Sequence, residues 1–207
     1  MLCHNDIRDE IYGYCRRGRL GPELEAGGLL HQLSLPHARR RPADVLCCSG
    51  GALLPALPDG TRVRPGRRVA LDFAVVNALG QGHVSETLQG ALTAAAAYSQ
   101  RKRRHDDTQA KCAAEGIVFE PMVFEAQGGV EKRCAAVLHC IAEAVATAEE
   151  RDPAVIKQEL LQRIGLALLR SNARAVRRRA PPVEAATRRD RRLIGAAAVA
   201  TAAGDVD

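Results

Sequence analysis

The stretch Val69-Ala70-Leu71-Asp72-Phe73-Ala74-Val75-Val76-Asn77 constrains this chain more than any other. Val, Leu and Phe with small Ala between them make a run of β-forming residues, and the run reads as a strand. Asp72 stands in its middle. A carboxylate among apolar neighbours is costly to bury unless something compensates its charge. Whatever fold this strand belongs to must therefore bring a cation, or a second polar partner, to that point.

A second short apolar run, Ala43-Asp44-Val45-Leu46-Cys47-Cys48, also carries one Asp. Strands adjacent in sequence are usually adjacent in space. Two carboxylates brought within about 4–6 Å on paired strands repel, and one proton affinity rises unless a cation sits between them. Hard divalent cations, Mg²⁺ above all, take carboxylate oxygens and keep positions open for water and phosphate. The bland alternative is that Asp44 and Asp72 are strand-end or solvent-face residues.

Around these two runs the chain reads as one α/β domain. Ile7, Ile11, Tyr14 and Cys15 recur at helical spacing within residues 4–18, and Gly18 and Gly21-Pro22 end that helix. A strand around 23–35 is broken by Gly27-Gly28, and 49–66 is a Gly/Pro/Asp-rich loop. Residues 85–115 hold no Pro and one Gly and read as one long helix. The β-rich 117–126 follows, where Pro121 signals an edge strand or a bulge. Helices are expected at 130–150 and 153–179, the second opened by Asp152-Pro153. The order is helix, β, β, β, long helix, β, helix, helix. Beyond Pro181-Pro182 the chain is rich in Arg and Ala without an amphipathic stripe, so the expected division is a domain at 1–179 and a disordered tail at 180–207.

The core must be made of Ala, Leu and Val, because 207 residues include no Trp, three Phe and three Tyr. The net charge of +6 rests on Arg, with only four Lys among the 30 basic residues. Guanidinium groups suit planar contact with phosphate, which makes an anionic polymer a natural partner, although high-GC coding also inflates Arg and Ala. Arg170, Arg174, Arg177 and Arg178 fall at i, i+4, i+7 and i+8, on one helical face. Such a stripe binds phosphates through counterion release with little sequence preference. Equally, it fits a solvated helix end favoured by the helix dipole. No aromatic residues interleave with these Arg to stack on bases. Seven Cys form no CxxC pair, and the N-terminus lacks the pattern of a signal peptide. Reduced thiols and an intracellular protein are expected, with no membrane partner, since no apolar run approaches the ~20 residues of a span. Cys3-His4 and His139-Cys140 are read as core or surface residues in preference to zinc half-sites.

Several stretches in order resemble the PD-(D/E)xK nuclease superfamily, and more narrowly the restriction-like endonuclease domain that follows the reverse transcriptase of some non-LTR (LINE-type) retrotransposons. They are His4-Asn5-Asp6-Ile7-Arg8-Asp9 at the first helix, Arg41-Pro42-Ala43-Asp44-Val45, and Ala70-Leu71-Asp72-Phe73-Ala74-Val75. Tyr98-Ser99-Gln100-Arg101-Lys102 on the next helix, and Gly116 to Val123 with Gly128-Gly129, complete the set. Together they span roughly residues 3 to 175.

The resemblance implies a restriction-endonuclease-like α-β-β-β-α-β core with a mixed sheet and additional C-terminal helices. It implies a divalent-metal-dependent DNA endonuclease that hydrolyses a phosphodiester, with Mg²⁺ or Mn²⁺ as cofactor, DNA (or RNA) as partner and no small-molecule cofactor. Asp44 and Asp72 would bind the metal, with Glu10 as an added ligand. Lys102, or Arg101 beside it, would orient the attacking water or steady the phosphate. Arg103 and Arg104 are read as a solvated basic stripe, and His4 and His105 as surface residues. A working enzyme of this origin would be nuclear. The chain also departs from the pattern. Asp72-Phe73-Ala74 lacks the Lys of the acid-x-Lys triplet, Ala43 separates Pro42 from Asp44, and 28 residues part the two acids. Without a polymerase domain or a Cys/His knuckle, the chain reads as a piece of a retroelement polyprotein. The alternatives are a catalytically inactive nucleic-acid-binding remnant and an unselected reading frame.

Overall fold

The computed structural model describes residues 2–26, 29, 43–49, 54 and 66–179. The chain divides into two compact units, 1–169 and 170–207. Arg41-Pro42, most of the 49–66 loop, most of 25–42 and the 180–207 tail lie outside the described residues.

Helix α1 (Leu2–Arg17) is followed by strands β1 (Pro22–Leu24), β2 (Val45–Cys47) and β3 (Arg68–Val76). Three helical segments come next, α2 (Val84–Thr87), α3 (Thr93–Arg104) and α4 (Thr108–Ala114). Strand β4 (Ile117–Glu125) and helices α5 (Lys132–Glu149) and α6 (Pro153–Arg179) complete the described chain. The sheet order is β1-β2-β3-β4, with β1, β2 and β3 antiparallel in turn and β4 parallel to β3. The chain is thus a mixed α/β protein with a four-stranded mixed sheet. Among the described residues no helix is long and apolar enough to cross a membrane.

The expected long helix over 85–115 is broken twice. Gly90 takes φ +155° and Leu92 a left-handed φ of 64°, which separates α2 from α3. Asp106 and Asp107 take φ 49° and 55° between α3 and α4. Asp is among the few non-Gly residues that enter this region readily, and an i+4 apolar pattern carries no mark of the interruption. Pro121 does lie in an edge strand, opposite Asp72, where its missing N–H removes no bond that the sheet needs. At α6, the Asp152 carboxylate accepts from the Ala154 amide at 2.7 Å, as the Asp-Pro start requires.

Alternation along β3 sorts its side chains onto two faces. Val69, Leu71 and Phe73 enter the main core with Ile7 and Ile11 of α1, Val137 and Ile141 of α5, and Ile156 and Leu160 of α6. Ala70 faces the other way, with Cys112, Ile117 and Phe119, while Ala74 and Val76 pack with Ala95 of α3 and Val123. The main core relies on branched aliphatics and the second face on Ala, as the composition demands.

The two helical layers are tied at the sheet edge by Glu120, which is fully buried. Arg103 of α3 donates to its Oε1 at 2.6 Å and to the Phe119 carbonyl at 3.2 Å. Arg133 of α5 reaches it from the other layer, donating through Nε to both oxygens at 2.9 and 2.7 Å. Glu120→Ala would strand two largely buried guanidinium groups beside each other. A loss of about 3 kcal/mol is expected, read from urea unfolding followed by circular dichroism. A change under about 0.5 kcal/mol would mean that the clamp contributes nothing to stability.

Candidate active site

Asp72 lies on β3 between Ala70 and Ala74, on the face covered by α3 and α4. Small neighbours leave room for a long side chain to approach from the helix, and Lys102 does so. On α3, Ala95, Ser99 and Lys102 follow at i, i+4 and i+7, so the residue one turn past the buried Ser99 reaches the strand. Lys102 Nζ donates to Asp72 Oδ2 at 2.7 Å and to the Phe73 carbonyl at 3.3 Å. Both side chains are about one-fifth exposed, at 21% and 23%. The charge that the strand could not carry alone is met by this ammonium.

Asp44 enters through strand register. Val45 pairs with Leu71 at the end of an antiparallel ladder, and Asp44 lies one residue beyond that last pair. The Asp44 amide donates to the Leu71 carbonyl at 3.0 Å, so Asp44 and Val45 both face Leu71 and the strand end is offset there. Its carboxylate is held on two sides. Oδ2 accepts from the Phe73 amide at 2.7 Å and lies 2.9 Å from His4 Nε2, at the first turn of α1. His4 Nδ1 lies 3.1 Å from Asn5 Oδ1, and the His4 ring meets the Phe73 ring edge-on at 6.4 Å.

These contacts separate the two acids. Burial pushes Asp44 up, but His4, the Phe73 amide and Lys102 together outweigh it and hold its pKa below the usual value. For Asp72 burial prevails, helped by the like charge of Asp44, so that its pKa is raised despite Lys102. The hydrogen bond to Asp44 raises the His4 pKa, and partial burial opposes it. A pair of carboxylates driven apart in this way is a frequent mark of acid–base or metal chemistry. His4, the Phe73 amide and Lys102 meet the Oδ2 atoms of the two acids, and the carboxyl groups of Asp44 and Asp72 also approach within hydrogen-bonding reach of each other. Mg²⁺ is commonly held by one or two carboxylates with waters completing its shell, and the facing carboxyl groups of Asp44 and Asp72 are donors of that chemical kind. Among the described residues no group of three His, Cys, Asp or Glu gathers as a metal cage.

Other sequence candidates are placed elsewhere. Arg101 is half exposed, pairs with Glu86 at 3.2 Å and lies over the Tyr98 ring at 5.4 Å, so Lys102 and not Arg101 contacts the acids. Glu10 faces Arg163 of α6 at 3.5 Å, more than a helical turn from His4 and on a different side of α1. Arg103, expected as part of a solvated stripe, is a buried partner of Glu120, whereas Arg104 is exposed as expected. In the second unit, Arg170, Arg174, Arg177 and Arg178 are all exposed on helical residues 170–179. Cys15, Cys47, Cys112 and Cys134 are buried core thiols.

His4 is the site residue that the sequence reading missed, since it was taken as a surface residue. A signal was present: His4 precedes Ile7 and Ile11 at helical spacing and so belongs to the stripe of α1 that turns inward. No family model matches the sequence, and no match was found among the curated proteins or the solved structures.

The His4–Asp44 contact carries a pH signature. A raised His4 pKa contributes stability that is complete below about 6.5 and is lost as pH rises through the folded-state value. Asp44, lowered, loses its contribution as pH falls below the usual carboxylate range. The wild type should therefore exceed His4→Ala by about 1 kcal/mol near pH 5.5, with the gap narrowing above pH 7. Thermal melts of both proteins across that range check this, and a gap that widens with pH would overturn the assignment.

Proposed function

We propose that the chain is a divalent-metal-dependent phosphodiester hydrolase acting on DNA, built on a restriction-endonuclease-like core and derived from a retroelement. The observation that carries this reading is the convergence of Asp44, Asp72 and Lys102 on one point of the central strand pair. Their order in the chain and the α-β-β-β-α-β succession, with the last strand parallel to the third, support it further. The resemblance places a Lys two residues after the second acid. Here α3 supplies the ammonium from 30 positions away, with Lys102 Nζ at 2.7 Å from Asp72 Oδ2.

Asp44 and Asp72 would hold Mg²⁺ or Mn²⁺ between their facing carboxylates. Such an ion, when bound, supplies a water of lowered pKa and neutralises charge on the phosphodiester. The chain's own residues do the positioning. His4 and the Phe73 amide fix the Asp44 carboxylate, so that one oxygen stays turned toward Asp72. Lys102 balances Asp72 and brings an ammonium to where a non-bridging phosphate oxygen or the attacking water would lie. The exposed Arg of residues 170–178 offers sequence-independent phosphate contacts. RNA presents the same backbone phosphates.

A second reading has its own support. Lys102 already satisfies Asp72 and His4 already satisfies Asp44, so the acids can persist without a metal. On that reading the chain is an inactive nucleic-acid-binding remnant. Supercoiled plasmid with purified protein and Mg²⁺ or Mn²⁺ separates the two. For the enzyme we expect conversion to nicked circles, abolished by Asp44→Ala and by Asp72→Ala, and slowed roughly 100-fold or more by Lys102→Ala. Retardation of the plasmid on a gel without nicking would sink the hydrolase and leave the remnant.

A further inference from the structure

A cleft of about 460 Å³ lies between α3, α4 and the start of α5, beside the buried clamp on Glu120. Its volume falls within the range of small-ligand sites. The methyl groups of Ala96 and Ala97 make a smooth wall, and the polar lining comes from Ser99, Gln100, Gln109, Glu131 and the two clamp arginines. Each structural duty leaves part of a group over. Arg133 spends its Nε on Glu120, and among the described residues its two terminal nitrogens make no hydrogen bond. Glu131 caps α5 through Oε2, accepting from the Arg133 and Cys134 amides at 2.9 Å each, which leaves Oε1. Ser99, only 4% exposed, presents its hydroxyl at the cleft wall.

The charges of the lining and clamp cancel, two Arg against Glu120 and Glu131, so the cleft has no excess positive charge for a bare phosphate. What it offers is a fork of donors, an acceptor carboxylate, a hydroxyl and two amides beside an apolar wall. Guanine presents the complement: O6 and N7 accept from an Arg fork, while N1–H and N2–H donate to a carboxylate. Adenine lacks the N1–H donor and the O6 acceptor, and the pyrimidines lack the N7. We infer that this cleft binds a guanine base. The base comes either from an unpaired position of a nucleic-acid strand or from a free nucleotide. The strand source rests on the nucleic-acid reading above, and it is natural because Ser99 and Lys102 lie one turn apart on α3. A strand whose phosphodiester lies at Lys102 could then be chosen by a base three residues along the same helix.

Calorimetric titration in EDTA tests the base preference apart from any cleavage. GMP is expected to bind about tenfold or more tightly than AMP, CMP or UMP. Ala97→Leu, which fills the wall, and Glu131→Gln, which keeps a capping oxygen but removes the charge, should each abolish that preference. Circular dichroism melts establish that both variants fold; should Glu131→Gln lose its cap and unfold, Ala97→Leu alone decides. A thymidine oligonucleotide with one internal guanine, compared with the all-thymidine strand, separates the sources. Preference in the oligonucleotide points to the strand, and preference in GMP alone points to the free nucleotide. Equal affinity for all four mononucleotides and both oligonucleotides, or a GMP preference untouched by Ala97→Leu, overturns the inference. Plasmid nicking by wild type, scored separately, keeps failure of the hydrolase reading distinct from failure of this one.

Discussion

One ion pair in the middle of the sheet governs the rest. Asp72 sits on a central strand with apolar residues before and after it, and without a counter-charge that position would oppose folding. Lys102 supplies the charge from α3, and so α3 must lie across β3 with its Ala-rich side inward. Ala95 and the alanines flanking Asp72 are small for this reason: larger side chains would lift the helix and part the ammonium from the acid. Packing and electrostatics here are one constraint.

The second acid is placed by the backbone. Asp44 lies just outside the three-residue β2, but its amide bonds the Leu71 carbonyl and its carboxylate takes the Phe73 amide. A hydrogen bond from a main-chain donor is a firmer restraint than one from a flexible side chain, because the donor is held by the sheet. His4 then ties the first turn of α1 to the same carboxylate. The site is therefore assembled from three elements whose relative positions are already set by the main core, through Ile7, Ile11, Leu71 and Phe73. Two acids held in such a frame differ in proton affinity, one driven down and one up.

The clamp on Glu120 shows the same economy at the sheet edge. An edge strand with an internal Pro offers unpaired carbonyls, and Arg103 takes the one at Phe119 while also meeting Glu120. With Arg133 arriving from the opposite layer, a single buried carboxylate fastens helices on both faces. The cleft that we assign to guanine is lined by the parts of these residues that the fastening leaves unused.

Legible in the residues alone were the succession of elements, the strand around Asp72, the cap at Asp152 and, with a bulge as the alternative, the edge position of Pro121. These are local matters of periodicity, propensity and turn chemistry, and each is written within a few residues. The sequence also paired Asp44 with Asp72, because neighbouring strands usually pair. Which basic residue meets the acids is set by packing. Arg101, Lys102, Arg103 and Arg104 differ by successive rotations of about 100° around α3, and the docking angle of that helix sends one to Glu86, one to Asp72, one to Glu120 and one to solvent. The same holds for His4 and Glu10 on α1. Their outcome depends on what lies opposite, which a chain read in one dimension does not contain.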